Sequence, residues 1–198
     1  MDDDKEIQMA YGDIRVTPLN GEKYLSFQVG NLRFIDSFHF LSISLENLVS
    51  LLLKSGREKF AHAIKHLGNH ELIFAKGVYP YSNMTGPEKF GENQLPPIEA
   101  FHNTVDDHAL SPEDYNRAQQ IWAHYNMKTL QNYHDDYLLS DVLLLADVFQ
   151  NVRNTIYEQH HLDALRFITH PSLAWASALK YTRAKLDLIT DPDYVPGG

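Results

Sequence analysis

The sequence predicts a mixed α+β chain: an antiparallel meander followed mostly by helices. Three observations predict it. Short apolar runs alternate with polar residues near the start, Asn-Gly and Gly-Asn links separate them, and helix-capping residues punctuate the remainder of the chain. Of the 198 residues, 43% are hydrophobic and 22% charged, the balance of a globular chain and not of a disordered one.

The meander is expected over residues 13–38. IRVTPL, YLSFQV and NLRFIDSF are joined at Asn20-Gly21 and Gly30-Asn31, and Asn-Gly between alternating runs is the strongest short hairpin signal. SISLENLVSLLLKSG then reads as a helix that Ser42 or Ser44 can cap, with Gly56 just past its end. REKFAHAIKHLG reads as a second helix that stops at Gly68. ELIFAKGVYPYSNMTGPEKFGENQLPP is rich in Gly and Pro and reads as a long ordered loop, which in a compact domain is usually functional. Tyr79, Tyr81 and Phe90 crowd it and either pin it down or stack bases.

SPEDYNRAQQIWAHYN has Ser111 as cap, Pro112 at the first helical position and acids in the first turn. Thr129 is expected to cap a long helix containing YHDDYLLSDVLLLADVF, apolar enough to be buried and running to about His160. Pro171 starts the last helix, PSLAWASALKYT, and a strand-like LDLIT follows. Trp122 and Trp175 fall at core spacing. The closing DPDYVPGG has no core-forming pattern and reads as a chain cut short.

Composition excludes several classes. Without cysteine there are no disulfides and no thiolate metal sites, which fits an intracellular protein. No apolar run reaches the roughly 18 residues of a membrane helix, and MDDDKE is no signal peptide. The net charge of −9 does not draw nucleic acid to the surface as a whole, and seven acids against one lysine from Glu88 to Asp114 repel it. From Ala164 to Leu186 there is no acid, and Arg166, Lys180, Arg183 and Lys185 form either a local basic surface or a solvated face.

The residues that carry chemistry lie in the long helix. Tyr137 and Asp141 are four apart and share one face, among Leu138, Val142, Leu143, Leu144, Leu145 and Val148. A bare carboxylate there needs a metal ion, an arginine or backbone donors to compensate its burial. Metal-dependent phosphodiester hydrolysis uses such a pair: carboxylates hold divalent cations, and a tyrosine hydroxyl orients the attacking water. The pair alone fits as well an acid that favours the helix dipole, with Asp141 in a salt bridge.

YHDDYLLSDVLLLADVF resembles, nearly residue for residue, the third exonuclease motif of family-B DNA polymerases. The likeness is to the protein-primed branch of viruses, linear plasmids and Maverick/Polinton-type elements. VGNLRFIDSFHFLSISLENLV is similar to that branch's segment between the second and third exonuclease motifs. KGVYPYSNM and LPPIEAFHN resemble its connecting loop, SPEDYNRAQQIWAHYNMKTLQNYHD the lead into the third motif, and THPSLAWASALKYTRAKLDLITDPD the approach to the palm. The likeness spans about residues 14–193.

The resemblance implies a ribonuclease-H-like 3′–5′ exonuclease domain, here its C-terminal part over 1–160, with the start of a polymerase palm over 161–198. It makes Tyr137 the tyrosine and Asp141 the metal-binding aspartate of the third motif, with Mg²⁺ or Mn²⁺ as counter-charge. It places single-strand contacts at Asp36, Ser37 and Phe38; the basic stretch, on its charge alone, adds Arg166, Lys180 and Arg183 as candidate DNA contacts. For the parent enzyme it implies DNA, dNTPs and a terminal-protein primer as partners. The family's other motifs are not matched. Asp4-Lys5-Glu6 spells D-x-E in a polar run with no strand around it, NLRFID is off by one as a second motif, and Tyr194 to Gly198 carries one residue too many for the Y-x-G-G-like linker. One aspartate cannot hold two metals, so the chain alone is expected neither to polymerise nor to proofread. The rival expectation is a non-catalytic α+β module that binds DNA or protein.

Two further constellations stand out. His62, His66 and His70 recur every four residues, a zinc-like spacing, but Gly68 should end the helix before His70, which favours a solvated face. His134, Asp135 and Asp136 read as first-turn polar residues, and Asp147, six past Asp141, should face elsewhere and hold no metal.

Overall fold

The computed structural model describes residues 14–21, 23–102 and 109–186. Asp4-Lys5-Glu6, most of LDLIT and the closing Tyr194 to Gly198 lie outside them. The chain divides into two compact units, residues 1–42 with 153–198, and residues 43–152.

The first unit holds the predicted meander. Strands β1 (Ile14–Pro18), β2 (Tyr24–Val29) and β3 (Leu32–Ile35) pair antiparallel in that order. The turns fall at the two links that the sequence marks, and Gly30 supplies the positive φ of 56° that the second one needs. Register sets Val16 opposite Phe27 and Phe27 opposite Phe34, whose rings stack at 4.6 Å. These residues lie on one face with Ile14 and Leu32, and all five are exposed. The other face buries Ser26. Phe40, Ala164 and Leu173 are buried in the same unit, and Arg33 donates to the Leu165 carbonyl. Helix α5 (His170–Thr182) starts with a reciprocal capping pair, Thr169 and Ser172, and with Pro171 in its first turn. Trp175, expected in the core, is 60% exposed. Helical spacing places a residue on a face and does not say whether that face is covered.

The second unit is mostly helical. Ser44, not Ser42, caps α1 (Leu45–Leu53), accepting from Asn47 N. The next expected helix is broken. Arg57–Lys59 form a single tight turn, Phe60 leaves the helical region at φ −95°, ψ 52°, and α2 covers Ala61–Leu67. The break has a tertiary cause: the buried carboxylate of Asp147 accepts from His62 N at 2.9 Å and Ala63 N at 2.8 Å and so starts the helix there. The Gly- and Pro-rich loop is ordered as a series of single turns. Helix α3 (Pro112–His124) begins at Ser111 as the sequence predicts.

The long helix α4 (Leu130–His160) begins directly after Thr129, and Asn132 in its first turn reaches back over that start. Its side-chain oxygen accepts from Lys128 N and Thr129 N. From Arg153 on, this helix belongs to the first unit. The core of the second unit gathers Tyr79, Phe101, Ala118, Met127, Leu130, Tyr133 and Tyr137, with Trp122 packed against it as expected. α4 is not buried all round: Leu138, Leu139 and Val142 are exposed, whereas Leu144 and Val148 are buried. Among the described residues, no helix is long and apolar enough to cross a membrane.

Candidate active site around Tyr137 and Asp141

The i, i+4 spacing on α4 brings Tyr137 and Asp141 together. The Tyr137 phenol neighbours the Asp141 carboxylate, each shifting the other's protonation, and lies 3.0 Å from the Tyr81 hydroxyl. The rings of Tyr79 and Tyr137 pack at 4.9 Å, and those of Tyr79 and Tyr81 at 5.1 Å. Asp141 is half-buried, and its Oδ1 is buried without a hydrogen-bond partner.

The loop reaches this face of α4 because three contacts pin it there. Arg117 donates to the Lys76 carbonyl. Tyr133 donates to the Val78 carbonyl at 2.6 Å. Gly77 lies so close to Tyr137 that a Cβ would sit 2.9 Å from its Cδ2. The Tyr79 hydroxyl is 2.7 Å from His134 Nδ1, and Phe90 meets the same imidazole edge-on. Tyr79 and Phe90 thus pin the loop, while Tyr81, 63% exposed, turns its hydroxyl to the site.

Burial dominates the electrostatics. It pushes the Asp141 carboxyl above the usual carboxylate range, against the pull of Lys76 and the Tyr137 phenol. Burial, then the hydrogen bond with Tyr81 and the charge of Asp141, raises Tyr137 well above an ordinary phenol. Lys76 is a partner that the sequence does not single out, since a lone lysine in a loop has no periodicity to place it.

The donor set bears on the metal that the resemblance implies. A cation would satisfy the orphaned Oδ1, and the phenol beside it is placed to hold a water. A single carboxylate cannot hold two ions, however, and the described residues contain no group of three or more His, Asp or Glu able to hold a metal. His62 and His66 are exposed on α2, and His70 lies against His124 and Tyr125 instead. Asp147 is turned to the amides of α2, as its offset from Asp141 suggests. Asp136 departs from its first-turn reading: burial pushes it up to about 6.

The other predicted contact residues belong to the first unit. Asp36 caps the turn Ser37–His39 by accepting from Phe38 N at 2.9 Å, and Phe38 is 56% exposed. An open groove of about 720 Å³ is lined by Lys23, Tyr24, Asp36, Phe38, Thr169 and Pro171 among others. Arg166, Lys180 and Arg183 are exposed. Lys180 donates to the His161 carbonyl at 2.8 Å, and Arg183 ends α5 with a φ of 54°.

No family model matches the chain, and no curated protein sequence or solved structure matches it either.

Proposed function

We propose that this chain is part of a family-B DNA polymerase of the protein-primed branch, covering the C-terminal part of its 3′–5′ exonuclease domain and the start of its palm. The parent enzyme extends a DNA or protein primer with dNTPs and excises mismatched 3′ ends. One observation carries the reading: Asp141 presents a buried oxygen with no hydrogen-bond partner, beside the phenol of Tyr137. A structural aspartate in such surroundings is normally saturated by donors, as Asp147 is. Asp141 would be one protein ligand to Mg²⁺ or Mn²⁺. Bound there, divalent cations would supply an activated water and stabilise the leaving oxygen. Tyr137 is placed to orient such a water, and Tyr81 holds the phenol in place. In the first unit, the groove beside Asp36, Ser37 and Phe38 and the exposed Arg166, Lys180 and Arg183 serve as DNA contacts.

Paramagnetic Mn²⁺ tests the assignment in the full chain. Selective broadening of the Tyr137 ring resonances that is lost in Asp141→Asn supports it, and resonances untouched by Mn²⁺ refute it. The isolated chain is expected to show no magnesium-dependent exonuclease activity. A rate abolished by Asp141→Ala would overturn that expectation while strengthening the metal assignment.

A second reading has its own observation. The absence of a three-ligand group among the described residues and the exposed apolar face of the meander favour a non-catalytic module that binds DNA or protein. Binding of single-stranded DNA that does not depend on metal or on Asp141 would select it.

A further inference from the structure

Among the described residues, one other buried side-chain atom lacks a hydrogen-bond partner, Nδ1 of His70. His70 follows Gly68 at the C-terminal end of α2. Its Nε2 lies 3.1 Å from the Leu67 carbonyl and 2.9 Å from the Tyr125 hydroxyl. That hydroxyl donates to the same carbonyl at 3.0 Å. A carbonyl only accepts, and the single Tyr125 proton is already committed to it. The neutral imidazole therefore carries its proton on Nε2, shared between the Leu67 and Tyr125 oxygens, and Nδ1 is left as a bare lone pair. The His124 ring packs at 4.2 Å and the Tyr125 ring at 5.6 Å. These contacts join the end of α2, where carbonyls lack helical partners, to the end of α3.

A second proton on His70 must go to Nδ1, which is buried, has no acceptor and lies beside another imidazole. With the junction open, the ring reaches water and protonates normally. We infer that the His70–Tyr125–Leu67 junction is a pH-sensitive latch, which holds the C-terminal end of α2 against the end of α3 while His70 is neutral and releases it when His70 is protonated, the rest of the unit staying folded.

The groups around it set the sign. Lys65 and His66 lie in the last turn of α2 and Glu71 follows His70; His124 comes from α3 and Asp136 from α4. Burial, and after it His124, lowers His70 below its usual 6.5, against the Leu67 hydrogen bond. A histidine lowered in the closed state stabilises that state fully above 6.5, and this is lost as pH falls from there through the closed-state value. Asp136 acts in the opposite sense. Burial raises it to about 6 against the pull of His124, so closure gains from its protonation as pH falls from there toward 3.8. Opening is therefore steepest between 6.5 and about 6, before Asp136 opposes it.

Hydrogen exchange of the full chain at about pH 7.5 and about pH 6, corrected for chemical exchange, tests this, with NMR titration of His70 alongside. One proton changes the opening constant by at most about tenfold per pH unit. The amides of Leu67 and Gly68 are expected to exchange about twofold faster at the lower pH, while those of Tyr133 to Leu144 in α4 hold. His70→Gln removes the response, His124→Gln shrinks it, and Asp136→Asn extends it to lower pH. A wild-type His70 titrating at or above its usual value, or protection lost evenly across the unit, would overturn the latch.

Discussion

Two of the inward carboxylates on helix α4, Asp141 and Asp147, lie less than two turns apart, and their surroundings differ in kind. Asp147 is 1% exposed, and both its oxygens accept from backbone amides of α2. Asp141 is half-buried, touches a phenol, feels the charge of Lys76 and keeps Oδ1 unpartnered. A buried carboxylate is tolerated when donors replace the water it loses. Asp147 meets that condition within the chain, and in doing so fixes where α2 begins. Asp141 does not meet it, so its charge strains the fold unless something is added. The same residue type on one helix is structural where the backbone closes around it, and becomes a site candidate where the backbone does not.

The contrast yields an ordered set of tests. Asp147→Ala should act most strongly, since it strands the buried amide of Ala63 and the part-buried amide of His62. Urea unfolding should show a loss of about 3 kcal/mol. Asp141→Asn should go the other way. Because burial raises this carboxyl above its ordinary value, its charge costs stability as pH rises through the folded-state pKa, and the neutral amide should raise the urea midpoint at neutral pH without metal. A loss there instead would mean that Lys76 and Tyr137 already compensate the charge. Lys76→Met should push the Asp141 carboxyl higher still, which an NMR titration of its side-chain carbon would read directly. Tyr81→Phe should be the mildest, about 0.5 kcal/mol at its exposed position, and should lower the Tyr137 pKa in a spectroscopic phenolate titration.

Local signals in the sequence were enough wherever the chain's neighbours in sequence are also its neighbours in space. Asn20-Gly21 and Gly30-Asn31 mark the meander turns, Ser111-Pro112 starts α3, Pro171 lies in the first turn of α5, and the four-residue offset puts Tyr137 beside Asp141. Features that could not be read depend on distant partners. The break at Phe60 is set by Asp147, 84 to 85 residues away from the amides it holds. His70 looks like the third member of an α2 stripe, yet its partner hydroxyl lies 55 residues on. Trp175 has core spacing on a face that stays exposed. Lys76 gains meaning only once Gly77 lets the loop lie against α4.

That last contact carries a genetic consequence. Every single-base change in a glycine codon that does not encode glycine again yields a stop or a residue with a side chain. At Gly77 each such side chain begins 2.9 Å from the Tyr137 ring. Codon 77 therefore has no neutral missense neighbour while codon 137 encodes tyrosine. In a library of random variants, survivors at the first position should be rescued by a smaller residue at the second.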